Sequence, residues 1–122
     1  MNQAAALPFS EVVVHGDLLV LAGQAAVDSV RGEVTAAGLE KQFRWILSRL
    51  ESLLGEHGSG LDSVLRVECF LARREDYGEW NRLFETTFVE PRPARTTLIA
   101  GLVMPELRIE LQVLAARVDP DI

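Results

Sequence analysis

The side chain with the most chemistry to offer is Arg95, in the run Pro93-Ala94-Arg95-Thr96-Thr97. A guanidinium stays charged and presents a rigid fork matched to a carboxylate. An arginine delivered by a proline-bent stretch to the start of a strand is therefore placed to hold a small carboxylate in one orientation. The commoner fate of a strand arginine is an ion pair, and the residues alone favour one with Glu110 on the neighbouring C-terminal strand. Asn81 and Glu79 likewise read as a solvated helix face and an N-terminal cap. Other catalytic apparatus is not signalled. His15 and His57 stand far apart with no Cys/His/Asp cluster around them, so no metal site is expected, and His15 reads as a turn residue. The glycines of GEHGSG, residues 55 to 60, follow a helix and precede no lysine, which makes them helix terminators rather than a phosphate cradle. Cys69 lies mid-strand among apolar residues, where a thiol is an inert small hydrophobe. Ser10 and Ser29 have neither a nucleophile elbow nor a base partner.

The elements that must position these groups follow from periodicity. Residues 10 to 23, SEVVVHGDLLVLAG, are two aliphatic runs broken by His15-Gly16-Asp17, the pattern of a β-hairpin. Residues 24 to 37 are small and polar and read as a connection. From Leu39 onward Phe43, Ile46, Leu47, Leu50, Leu53 and Leu54 recur at helical spacing, and Gly55 and Gly58 end that helix. Residues 62 to 72 read as a strand alternating Leu65, Val67, Cys69 and Leu71 with Val64, Arg66, Glu68 and Phe70. Asp76-Tyr77-Gly78-Glu79 has the form of an acidic capping box, predicting a second helix from Tyr77 that stops before Pro91. Trp80, Phe84 and Phe88, four apart, give it one aromatic stripe. Residues 95 to 100 and 107 to 118 complete the strands.

The order is ββαβαββ, an α+β arrangement with a mixed sheet and two helices on one face. On the last strand Ile109, Leu111, Val113 and Ala115 point toward those helices, and Arg108, Glu110, Gln112 and Leu114 point away. A sheet face that mixes charge with aliphatic groups suits contact with another subunit, so a closed homo-oligomer is expected.

Composition sets the outer bounds. The 122 residues suit one domain spanning 1–122, with residues 1–7 loosely held, and bury roughly two thirds of the unfolded chain's surface. No apolar run approaches the roughly 18 residues of a membrane span, and the N-terminus lacks the basic and apolar regions of a signal peptide, so a cytoplasmic protein is expected. A single cysteine suits a reducing compartment. A net charge of -6 argues against nucleic acid or an anionic membrane as partner, since both recruit basic patches.

Five segments in register go further. P-F-S-x-x-V-x-x-G-x-L-x-x-x-A-G-Q at 8 to 24, G-E-V at 32 to 34, D-Y-x-x-W-N at 76 to 81, P-A-R-T-T at 93 to 97 and R-I-E-L-Q-V-L-A-A at 108 to 116 together resemble the RidA family, also called YjgF, from about residue 8 to 118. The resemblance implies a chorismate-mutase-like fold assembled as a homotrimer, with three clefts between subunits. It also implies hydrolysis of reactive 2-imino or enamine acids, made by pyridoxal-phosphate enzymes, to 2-oxo acids and ammonia without a cofactor. On this resemblance Arg95 matches the substrate-binding arginine, Glu110 the acidic residue beside the attacking water, and Asn81 a helix asparagine near the cleft. At three substrate-facing positions the chain departs from the family pattern. It has Phe9 where tyrosine is common, Ala22 where serine is common, and Thr97 where cysteine or serine is common. Phe9 and Ala22 lack a hydroxyl whose loss in a desolvated site costs about 1 to 3 kcal/mol. Two alternatives to small imino acids therefore stay open: a non-catalytic binder of a small carboxylate metabolite, and a divergent hydrolase for a bulkier compound.

Overall fold

The computed structural model describes residues 7 to 118, so the loose terminus expected over residues 1–7 lies, except for Leu7, outside the described residues. In chain order the elements are β1 (Val12–His15), β2 (Leu18–Leu21), β3 (Gln24–Ala25), β4 (Val27–Asp28), β5 (Glu33–Val34), α1 (Leu39–Glu56), β6 (Val64–Leu71), α2 (Tyr77–Thr87), β7 (Ala94–Ile99) and β8 (Ile109–Ala116). This is the expected ββαβαββ order with three two-residue strands added inside the segment read as a connection. Two residues are too few to show alternation, and these strands exist through their partners: β3 pairs with β8, and β4 with β5. Gly16 takes φ +58° in the β1–β2 turn, a left-handed conformation that a side chain would strain.

The main sheet runs β1-β2-β8-β6-β7, antiparallel except for the parallel β6–β7 pair, which α2 connects. That crossover leaves β7 at the sheet's edge, with β6 between it and β8. One face of the sheet carries the core. Val67, Cys69 and Leu71 of β6 and Ile109, Leu111, Val113 and Ala115 of β8 are buried against Phe43, Ile46, Leu50 and Leu54 of α1 and Trp80 and Phe84 of α2. The aromatic stripe is continuous: ring centroids are 5.9 Å apart for Phe43 and Trp80, 5.5 Å for Trp80 and Phe84, and 4.9 Å for Phe84 and Phe88. The opposite face is uncovered in the single chain, and Val13, Val20 and Leu98 are exposed there. Among the described residues no helix is long and apolar enough to cross a membrane.

Two local expectations are corrected. The alternation in β6 fails at its start, where Val64 is buried and Leu65 is 50% exposed. A β-bulge between Val64 and Arg66 inserts an extra residue and reverses the two side chains. Asp76, expected to cap α2 through its carboxylate, makes no cap hydrogen bond. Instead it takes two charge-assisted bonds from Arg108, Nε at 2.8 Å and Nη2 at 2.7 Å, while 6% exposed. An intrahelical N–H cannot compete with a bidentate guanidinium in that setting. The same hydrogen bonding from Asp76 pushes the Arg108 pKa up. Beside this pair, the fully buried amide of Gln42 on α1 donates to the carbonyls of Ala36 and Glu106, both at 3.0 Å, and accepts the Arg108 backbone N–H at 2.7 Å.

Candidate functional site

The site residues fall into two groups on opposite faces of the sheet. The first is built on the edge strand. Arg95 aligns with Val67 of β6, whose side chain is buried toward the helices, so Arg95 projects to that same face and meets α2. Its guanidinium carbon lies 4.9 Å from the Phe84 ring centroid, 5.6 Å from Trp80 and 5.7 Å from Tyr77, and its Nη2 donates to the Tyr77 hydroxyl at 3.0 Å. Three aromatic rings stabilise the cation through their negative faces without neutralising it. No carboxylate forms an ion pair with Arg95 among the described residues. The expected Arg95–Glu110 pair is therefore corrected: β6 separates the two strands, and the two side chains leave the sheet on different faces.

Thr97, two residues along the same face of β7, accepts the Trp80 Nε1–H at 3.0 Å, which fixes the indole beneath Arg95. Asn81 is exposed on α2 one turn beyond Tyr77, on the same side of the helix. Cys69, beside Thr97 in the ladder, is 1% exposed. Burial pushes its thiol far up and out of nucleophilic range, outweighing the nearby Arg95 charge.

The second group surrounds Glu110. On β8 this residue stands between buried Ile109 and Leu111, so it projects to the opposite face, where Ala25 and Phe70 are its ladder partners. It lines an open cavity of about 580 Å³ together with Phe9, Gly23, Gln24, Trp45 and Arg49. Half-buried there, its carboxyl is pushed above the usual carboxylate range by desolvation. Arg49 at the same cavity is paired with Glu11, which leaves Glu110 without that cation. Gly23 lets the carboxylate approach the backbone, because a Cβ at that position would overlap Glu110 Oε2 and force it to move. Ala22 does not line the cavity; its carbonyl accepts from Gln24 Nε2 at 3.1 Å and so holds the turn that brings Gly23 against the carboxylate.

The sequence places Tyr77 at the start of a helix and within the D-Y-x-x-W-N segment but gives it no role in binding, and it does not single out Trp45, Arg49 or Gly23 as cavity residues. For Gly23 the signal was present in the A-G-Q run. For Trp45 and Arg49, on the partly exposed side of α1, no signal distinguished cavity wall from surface.

A mixed main sheet with both helices packed on one face and the opposite face uncovered defines an α+β protein. The family model described as Endoribonuclease L-PSP matches residues 1–117, and the chain belongs to this family of YjgF, RidA and RutC proteins. It is 27% identical over 108 residues to a RutC family protein of Pyrococcus horikoshii, covering 88% of this chain and 86% of that one. It is 25% identical to the mouse 2-iminobutanoate/2-iminopropanoate deaminase, covering 93% of this chain and 84% of the relative. Among solved structures, a YjgF family member of Neisseria meningitidis superposes with a TM-score of 0.82 at 27% identity, covering 94% and 92% of the two chains.

Proposed function

We propose that the protein hydrolyses 2-imino acids to 2-oxo acids and ammonia in a cleft between subunits of a homotrimer. Arg95 of one copy binds the substrate carboxylate, and Glu110 of a neighbouring copy serves the water. The observation that carries this reading is the Arg95 guanidinium, held on an aromatic wall at the sheet edge with no carboxylate to neutralise it among the described residues. A cation so presented favours an incoming anion. Because Arg95 and Glu110 leave the sheet on opposite faces, one substrate reaches both only if a second copy supplies the other half. The uncovered face with Val13, Val20 and Leu98 gives that copy apolar surface to bury.

In the reaction, Arg95 fixes the carboxylate by a bidentate pair and sets the imine carbon toward the water. The water oxygen bonds to that carbon, the C=N electron pair moves to nitrogen, and Glu110 accepts the water proton, giving a carbinolamine. Glu110 returns that proton to nitrogen, then relays the hydroxyl proton to it as the C=O forms and the C–N bond breaks, which releases ammonia and leaves the 2-oxo acid. The raised Glu110 pKa makes its ionised form a better proton acceptor than an exposed carboxylate. An imine is already labile in water, so positioning and modest charge stabilisation suffice, and no cofactor is required. Asn81 and Thr97 border the Arg95 half of the cleft. Phe9, 56% exposed, and Trp45 give the Glu110 half apolar walls, which favours a larger hydrophobic side chain on the substrate over the smallest imino acids.

The test generates imino acids in situ from a series of amino acids with an amino-acid oxidase and follows imine loss. Wild type should accelerate it, most for bulky apolar side chains, and Arg95→Ala should not. A folded oligomer that leaves every imine at its spontaneous rate, yet binds 2-oxo acids through Arg95, would establish the non-catalytic binder instead.

A further inference from the structure

The Tyr77 hydroxyl accepts one hydrogen from Arg95 Nη2 at 3.0 Å, and this is the one hydrogen bond that hydroxyl makes among the described residues. A phenol is a donor as well as an acceptor, whereas arginine accepts nothing. The phenolic hydrogen is therefore turned away from the guanidinium, and no acceptor among the described residues takes it. Tyr77 is 47% exposed, so its hydroxyl stands at the surface from which a ligand would approach Arg95. The remaining hydrogens of the guanidinium, on Nε, Nη1 and the second position of Nη2, also lack acceptors among the described residues. Two donors 3.0 Å apart, one cationic and one neutral, can converge on a single carboxylate group.

We propose that Tyr77 is a substrate-binding residue: its hydroxyl donates to the carboxylate that Arg95 holds, making the anion receptor a three-donor site. This rests on the reading of Arg95 as the carboxylate-binding residue and adds a discrimination to it. A carboxylate satisfies all three donors. A carboxamide turns an NH₂ group toward at least one of them and leaves a donor unpaired, which is how a polar site rejects a near-isostere.

Tyr77 is the chain's single tyrosine, so incorporation of tyrosine labelled with ¹³C at the ζ carbon yields one resonance that reports this hydroxyl alone. With the full-length protein, 2-oxobutanoate should shift that resonance saturably, and 2-oxobutanamide should not. Tyr77→Phe keeps the ring against Arg95 and should bind 2-oxobutanoate about tenfold more weakly by calorimetry, the worth of one hydrogen bond to an anion, with an unchanged melting temperature. If Arg95→Ala abolishes binding while the resonance stays fixed, or while Tyr77→Phe binds as wild type does, the role given to Tyr77 is overturned and the Arg95 reading stands. If 2-oxobutanoate does not bind, or binds Arg95→Ala as well as wild type, the carboxylate reading fails and the role of Tyr77 with it.

Discussion

Replacing Asp76 by serine separates two accounts of why an aspartate precedes α2. Serine is as good an N-cap as aspartate, so a capping residue would tolerate the change with a loss near zero. In the structure, however, the carboxylate is 6% exposed and bound twice by Arg108, whose side chain is 25% exposed. Removing one member of a buried pair costs about 3 to 5 kcal/mol, chiefly because the other charge is stranded. Arg108 keeps partial access to water, which lowers the expected loss to about 2 to 3 kcal/mol. For a chain of this length that corresponds to a melting temperature lower by roughly 10 °C. The assay is thermal unfolding followed by circular dichroism at matched protein concentration, since an oligomer's midpoint depends on concentration. The double variant Asp76→Leu/Arg108→Met should recover most of the loss, because paired apolar groups leave no buried charge behind. A loss under about 1 kcal/mol in Asp76→Ser would refute the ion-pair account and restore the cap.

Three further outcomes are expected. Gly23→Ala should displace the Glu110 carboxylate and lower turnover about tenfold or more while the fold survives, checked by the oxidase-coupled assay beside circular dichroism. Glu110 binds its proton more tightly in the folded protein than in the unfolded chain, so its stabilising contribution is present below the ordinary glutamate pKa of about 4.3 and is lost as pH rises through the raised value. Urea unfolding should therefore show Glu110→Gln gaining stability relative to wild type across that interval, and turnover by wild type should rise through the same interval as the base ionises. Leu98→Lys, on the uncovered face, should shift the light-scattering mass toward the monomer, and an unchanged mass would place the subunit contact elsewhere.

The sheet, both helices and their order were legible because long amphipathic runs carry their own period: eight buried residues on α1 recur at helical spacing, and β8 alternates without a break. The failures are local and physical. A bulge at Val64 leaves no mark in composition, β3 owes its existence to a partner distant in sequence, and β4 and β5, two residues each, are too short to show alternation. Asp76 was read from its immediate neighbours, whereas its partner is 32 residues away. Arg95 and Glu110 stand out in the sequence as charged residues on adjacent-looking strands. Only the parallel placement of β7 at the edge shows that they face apart. Tyr77 was invisible as a ligand-facing group because the contact that defines it depends on the β7 register.

The buried amide of Gln42 has a consequence for how β8 is threaded. A strand that slides by one position exchanges its two faces, and on β8 such a slip would drive Glu110 into the core and turn Ile109 outward. Gln42 reads out the backbone at Glu106 and at Arg108, one carbonyl and one N–H, immediately before the strand begins. An amide has one end that donates and one that accepts, so it recognises this alignment and is left with unmatched groups in the neighbouring ones. Helix α1 thus acts as an index mark for β8, and the carboxylate two residues past Arg108 inherits its outward aim from a side chain that never touches it.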